Sequence, residues 1–344
     1  MDNITEFEKR KTDMMELWKE TFHDSDRYIS LVFDTYFSLE NTFVRYHQNR
    51  LIAAMLCVGY EFQILNEDGK KRRLRGMYLC GLATHPNWRK KGIMGELMEE
   101  AEDAARRRGY DLTFLIPADD HLRCYYARKG YYTASWRERE KFISKGTLSE
   151  NHEEKLNIYS IKDFFRQEYR HFLEEAAECC RERELSRRND TIVHSKRDFL
   201  TAMAENENSI FLTYPSFDPE YPILAKTVGI AFPELPEGKD ESLHIVGLYL
   251  RPEQSEIDSE ASEAFLTGEG KEGLKRTKET AIRNAVLEAI ARKFERDEFE
   301  IYNPRTESQP DGRRDAYAMV KRLFKNENLD ENENLTFEIS LMLD

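Results

Sequence analysis

The 344-residue chain has no run of 18 consecutive apolar residues, so its sequence offers no membrane-spanning helix. Its first residues, Met1-Asp2-Asn3-Ile4-Thr5-Glu6, lack the charged-then-apolar form of a signal peptide. Positive charge is not in excess: 52 Lys and Arg against 65 Asp and Glu leave a formal net charge of −13. That balance argues against a nucleic-acid partner, because phosphate backbones are held by basic stripes. An acidic surface suits cationic acceptors such as amines, and serves solubility equally well. Cysteine is scarce and odd in number. Cys57, Cys80, Cys124, Cys179 and Cys180 show no metal-site spacing, so the expectation is free thiols, no metal and a reducing cytoplasm. The P-loop pattern Gly-x-x-x-x-Gly-Lys-Ser/Thr is also missing, which weighs against a nucleotide-binding enzyme.

What the chain does have is core-forming residues: 40% are hydrophobic, with 20 Phe and 17 Tyr. Wholesale disorder is excluded, and the length suits two domains. Two amphipathic helices open the chain, one carrying Met14, Leu17, Trp18 and Phe22, the other Ile29, Val32, Phe33, Tyr36 and Phe37. Short strands follow, and Asn66-Glu67-Asp68-Gly69 signals a hairpin into a strand ending at Thr84. A helix is predicted from Ile93 to about Arg108 with Gly109 as its stop, then a buried strand over 111–116, a short helix at Ala127, and a strand over 131–142. This describes a mixed α/β (α+β layered) fold.

Near 144–156 Ser, Gly, Asn and Glu replace apolar residues, which predicts domains at 1–147 and 148–344. The second repeats the pattern: a helix over 161–184, strands at 209–214, 223–232 and 242–250, an excursion over 252–275, a helix over 279–294 and a strand at 298–302. It lacks a basic glycine turn, having only Arg251-Pro252 followed by acidic residues. In the tail Phe337, Ile339, Leu341 and Leu343 alternate with polar positions, a strand pattern ending at Asp344.

The informative stretch is Met77–Tyr132. The apolar strand ending Leu82-Ala83-Thr84 runs through His85-Pro86 into Arg89-Lys90-Lys91-Gly92-Ile93-Met94-Gly95. A helix start presents unsatisfied N–H groups and a positive dipole end, glycines let backbone approach an anion, and three basic residues add charge. A glycine turn at a solvated helix start would read the same way on its own; the buried strand before it and a tyrosine after it favour a phosphate-binding turn. That tyrosine lies in Cys124-Tyr125-Tyr126-Ala127-Arg128-Lys129-Gly130-Tyr131. By composition Tyr125 and Tyr131 are equally eligible proton donors, and spacing to Gly130 favours Tyr126.

Over about residues 75–135 these motifs resemble the GNAT superfamily of coenzyme A-dependent N-acyltransferases. Arg89-Lys90-Lys91-Gly92-Ile93-Met94 follows the signature Arg/Gln-x-x-Gly-x-Gly/Ala except at Met94. That departure, with the turn Thr84-His85-Pro86, is similar to the enhanced-intracellular-survival subset. The resemblance implies a GNAT fold with a mixed central sheet, followed by a second GNAT-like domain without the phosphate turn. It further implies acetyl-CoA as cosubstrate, with Leu82, Ala83 and Thr84 along the pantetheine and the thioester oxygen, and Lys90 to Gly95, with Arg89, around the pyrophosphate. Tyr126 would protonate the departing thiolate, and Asp344 could act on the acceptor amine through its terminal carboxylate. A solvated chain end is the competing reading for Asp344, and Glu61, His85 and Asp119 stay open as bases. The acceptor would be an amine-bearing small molecule, a lysine or an N-terminal amine. The alternative is a protein that binds acyl-CoA without turnover.

Overall fold

The computed structural model describes residues 3–65, 69–144, 156–164, 170–187, 189–213, 227–236, 242–251, 268–305, 314–323 and 335–339. In chain order its helices are α1 (Asn3–Phe22), α2 (Asp26–Tyr36), α3 (Ile93–Arg107), α4 (Asp120–Ala127), α5 (Arg170–Ser186), α6 (Lys196–Glu205) and α7 (Gly268–Phe294). The strands are β1 (Thr42–His47), β2 (Arg50–Leu65), β3 (Lys71–Thr84), β4 (Leu112–Leu115), β5 (Tyr132–Thr133), β6 (Trp136–Ile143), β7 (Asn157–Ser160), β8 (Thr191–Val193), β9 (Ile210–Thr213), β10 (Thr227–Glu234), β11 (His244–Leu250), β12 (Glu298–Arg305), β13 (Arg314–Ala316) and β14 (Met319–Arg322).

Packing divides the described residues into two compact units, neither continuous in sequence. One draws on Met1–Glu138, Arg187–Glu205 and Pro304–Asp344, the other on Arg139–Ser186 and Asn206–Asn303. A single cut at 147, as the loss of apolar residues there suggests, would assign the segments around 187–205 and beyond 304 to the second domain; their contacts are with the first. The reason is pairing. β8 adds to β2 at Glu61↔Val193, and β14 lies between β4 and β5.

In the first unit the sheet runs β1-β2-β3-β4-β14-β5. β2 and β3 are antiparallel, and β3 and β4 parallel. Successive strand side chains point to opposite faces, so Leu56, Val58, Tyr60 and Phe62 meet α1 and α2, while Met55 and Cys57 meet Leu97, Met98 and Ala101 of α3. Both faces are covered, which explains why β2 reads as a continuous apolar run rather than an alternating one. Ser25 caps α2 by accepting from Tyr28 N–H at 3.2 Å. α3 ends at Gly109, whose φ of +72° is the left-handed stop that its composition predicts.

The strand expected over 131–142 is broken in two. β5 pairs with β14, whereas β6 begins against β13, and between them Ala134 and Ser135 N–H both donate to the Ala318 carbonyl. Of the tail strand, Leu341 and Leu343 lie outside the described residues; within them Glu338 bridges Thr191, and Phe337 and Ile339 are fully buried in the first unit's core. β14 is pinned by a buried charge cluster. Lys321 Nζ donates to Glu102 Oε2 at 2.6 Å, and the Tyr131 hydroxyl donates to Glu102 Oε1 at 3.1 Å and lies 2.9 Å from Thr113 Oγ1. Glu102 is 4% exposed, and with Lys321 removed its remaining cation is Arg106, whose Nη2 lies 3.9 Å from Oε2. Lys321→Met is expected to cost about 2 kcal/mol of stability, measured by denaturant unfolding; an unchanged midpoint would mean that the pair contributes nothing.

The second unit has its own sheet, β6-β12-β11-β10-β9-β7, of which β6 contributes the residues from Arg139 onward. β9, β10 and β11 are antiparallel neighbours, α7 follows, and β12 pairs parallel to β11 at His244↔Glu300 and Ile245↔Ile301. This repeats the path β1-β2-β3-α3-β4. Val286, Leu287 and Ile290 of α7 pack on Ile245, Phe299 and Ile301 as α3 packs on its own sheet. The helix predicted over 161–184 is a 3-10 turn at Ile161–Phe164 followed by α5. The excursion predicted over 252–275 falls outside the described residues up to 267, and α7 starts at Gly268.

Candidate functional site

β3 carries an irregularity where the site begins. Its pairing with β2 runs through Leu56↔Cys80 and then Ala54↔Ala83, so three steps on β3 match two on β2. The extra residue is a bulge, and Gly81 takes φ +58° within it. A side chain there would be strained and would collide with Trp18, whose ring lies 2.0 Å from the position of an added Cβ. Parallel pairing with β4 spans only Gly76↔Leu112 to Tyr78↔Phe114. β4 ends at Leu115, one residue past that ladder, so the β4-facing edge of Leu82, Ala83 and Thr84 is left outside it.

The turn after Thr84 is held by its own side chains. His85 N–H donates to the Ile52 carbonyl at 2.9 Å, and Pro86–Trp88 forms a 3-10 turn. Arg89 Nε donates back to the Thr84 carbonyl at 3.0 Å. Lys91 Nζ lies 4.2 Å from the Trp88 ring centroid, and that ring meets His47 at 4.5 Å with the planes tilted by 48°. Lys90, at φ +62°, is exposed. Gly92 is the N-cap residue of α3 in the left-handed region, φ +83°, and supplies no side-chain cap. The first-turn N–H groups of Ile93, Met94 and Gly95 therefore have no intrahelical carbonyl and no capping oxygen; the first helical bond runs from Glu96 N–H to Gly92 O at 3.1 Å. A Cβ at Gly92 would meet nothing within 4 Å. An uncapped helix start opening into free space, flanked by Lys90, fits a phosphate group.

α4 docks against this same turn. An added Cβ on Gly95 would lie 2.7 Å from Lys129 Nζ and 3.6 Å from the Tyr125 hydroxyl. Thirty-odd residues of sequence thus close into one contact, and the absence of a side chain at 95 makes room for it. Asp119 caps α4 by accepting from Leu122 N–H at 2.7 Å.

The three tyrosines are now distinguishable. Tyr131 spends its hydroxyl on Thr113 and Glu102, and Tyr125 is half-exposed. Tyr126 is buried among Met55, Leu79, Met98 and Leu115, and among the described residues its hydroxyl has no hydrogen-bond partner. Burial first, then the nearby Tyr125 and Asp119, pushes its pKa up to about 12. It stays a neutral phenol with a proton to offer.

The alternative bases have structural partners. Glu61 accepts from Arg73 at 2.8 Å, Asp119 is the α4 cap, and His85 Nδ1 accepts from Asn87 N–H at 3.3 Å while Arg50 Nη2 sits 2.9 Å from its Nε2. Asp344 lies outside the described residues. Gly81 and Lys129 were not singled out from sequence, although a glycine inside an apolar strand is itself a bulge signal. Outside this site, Gly268-Glu269-Gly270-Lys271-Glu272-Gly273 has Gly-x-Gly-x-x-Gly spacing, but it lies within α7 rather than in a strand-to-helix loop. Among the described residues no group of three or more His, Cys, Asp or Glu converges as a metal site, and no helix is long and apolar enough to cross a membrane.

Residues 4–134 match the family model described as Acetyltransferase (GNAT) domain. Among solved structures, a GCN5-related N-acetyltransferase from Anabaena variabilis is similar over 91% of this chain and 70% of its own, with 11% identity and a TM-score of 0.55. Eis1 from Mycobacterium abscessus is similar over 94% of this chain and 72% of its own, also with 11% identity and a TM-score of 0.55. At such identity the likeness is one of fold. No curated protein matches the chain significantly. Residues 4–134 thus resemble a GNAT acetyltransferase domain, and the fold of the chain is similar to those of the Anabaena N-acetyltransferase and Eis1.

Proposed function

We propose that the acetyltransferase (GNAT) domain within residues 4–134 moves an acyl group, most simply acetyl from acetyl-CoA, onto a primary amine by direct attack. One observation carries this reading: the buried hydroxyl of Tyr126, without a partner among the described residues, sits on a helix docked against an uncapped helix start. Coenzyme A would bring the acyl thioester, whose carbonyl the amine attacks as the thiolate leaves. Lys90 to Gly95, with Arg89 shaping the turn, would hold the pyrophosphate. Backbone donors at Leu82, Ala83 and Thr84, on the edge of β3 beyond the end of its ladder with β4, would face the pantetheine and the thioester oxygen, where one well-aimed donor is worth about 3 kcal/mol.

Tyr126 holds its proton until the thiolate departs. A phenol is the weaker acid, so the transfer relies on position and on the hydrogen bond rather than on matched acidity. Direct attack is supported by four of the five thiols: burial pushes Cys57, Cys80, Cys179 and Cys180 upward, away from the nucleophilic thiolate, while the fifth, Cys124, is exposed. Free cysteines also support a cytoplasmic location. For the base we propose Asp344, supported by the course of the preceding chain: Phe337 N–H donates to the Ala134 carbonyl and Ile339 N–H to Ser135 Oγ in the same unit.

The raised acidity constant of Tyr126 sets the pH behaviour. Because its ordinary value of 10.0 moves up to about 12, the donor remains protonated through neutral and mildly alkaline pH. The rate should therefore rise with pH as the amine loses its proton and show no falling limb between about pH 7 and 10; a limb near pH 8 would remove Tyr126 from the role. The direct test of the function is thermal stabilisation by acetyl-CoA, followed by thiol release with a panel of primary amines. No stabilisation at millimolar acetyl-CoA would sink the reading, whereas stabilisation without thiol release from any amine would favour acyl-CoA binding without turnover.

A further inference from the structure

Resting on the acyl-CoA reading, the geometry points to Lys129 as the residue that recognises the 3′-phosphate of coenzyme A and so distinguishes it from 3′-dephospho-CoA. Two of the turn's three cations are engaged at short range, Arg89 Nε with the Thr84 carbonyl and Lys91 with the Trp88 ring, while the third, Lys90, is exposed beside the backbone assigned to the pyrophosphate. Trp88 meets His47, the last residue of β1, with the rings tilted. Lys129 belongs to the segment following β4, and its ammonium lies against Gly95 of the first helical turn.

A ligand whose thioester end lies by the bulge and Tyr126, and whose pyrophosphate lies on the Lys90–Gly95 backbone, still has its adenosine phosphate to place. Beside the first turn of α3 the chain offers Gly95, the half-exposed Tyr125 ring and the Lys129 cation. Lys129's partner there is Glu99, at 3.1 Å, in a pair whose side chains are 31% and 68% exposed. A pair that open to water contributes little, so a dianionic phosphate can take the ammonium from it, and a charge-assisted contact to phosphate is the stronger of the two.

The test is calorimetric titration of the full chain with CoA and with 3′-dephospho-CoA, which needs no acceptor. The wild type is expected to bind CoA about tenfold more tightly than 3′-dephospho-CoA. Lys129→Met should erase that preference by weakening CoA alone, and Lys129→Arg should keep it. Glu99→Gln, which removes the competing carboxylate, should preserve or strengthen the preference. If Lys129 merely tied α4 to α3 through Glu99, Lys129→Met and Glu99→Gln would weaken both ligands alike, and the assignment would fall. Equal binding of both ligands by the wild type overturns it too, while leaving the acyl-CoA site standing. Binding of neither ligand overturns the acyl-CoA reading and this inference with it.

Discussion

Tyr126→Phe is expected to lower kcat by about 10²- to 10³-fold, the usual contribution of a positioned proton donor, while the dissociation constant for acetyl-CoA moves by less than about threefold. The substitution deletes one oxygen that has no hydrogen-bond partner among the described residues. No buried donor or acceptor is orphaned by its loss, and the ring keeps its packing against Met98 and Leu115. Stability should hardly change, which separates chemistry from folding. Tyr131→Phe is the matched comparison. Its hydroxyl serves Glu102 and Thr113, so its removal should cost stability, about 1 kcal/mol or more, and leave the chemical step largely intact. Should Tyr126→Phe retain full turnover with a responsive amine, the proton must come from elsewhere, water included.

Gly81→Ala should be the most destabilising single change in the strand that lines the site, at about 3 kcal/mol. Two effects add: an L-residue held in the left-handed region costs roughly 1–2 kcal/mol, and overpacking a core costs about 1–3 kcal/mol. Here the added methyl would sit 2.0 Å from the Trp18 ring, a rigid indole wedged against Phe33 and fixed by its N–H to Asp24 at 2.6 Å. Gly92→Ala provides the contrast, because its φ is also positive but its Cβ would enter open space. It should lose only the conformational share of that cost. Tryptophan fluorescence during urea unfolding reads this cleanly, since Trp18, Trp88 and Trp136 all lie in the first unit. Equal losses for the two variants would show that Trp18 yields, and that the bulge is not locked by it.

Much of the site could be read along the chain because its parts are local. The turn from Thr84 to Gly95 is one strand end, one tight bend and one helix start, each with its own residue signature: an apolar run, Pro86, a glycine before an amphipathic stretch. Choosing among Tyr125, Tyr126 and Tyr131 was another matter. Spacing favoured Tyr126, but the physical distinction lies in partners contributed from far away, above all Glu102 of α3, which occupies Tyr131. Likewise Lys129 looks like one more solvated charge until Gly95 is seen to leave it room.

The amino-acid sequence by itself determined the repeated strand-helix-strand order, the covered sheet faces and the basic glycine turn, because these depend on periodicity and on backbone freedom over a few neighbouring residues. Only the tertiary structure decided how the chain is shared between its two units. β14 slots between β4 and β5, β8 extends β2, and Phe337 and Ile339 fill the first unit's core. Strand pairing across 200 residues leaves no periodic trace in either partner: any apolar β-strand satisfies the open edge of another, and the one that does so is selected by packing around Glu102, Lys321 and the gap between Leu115 and Thr133.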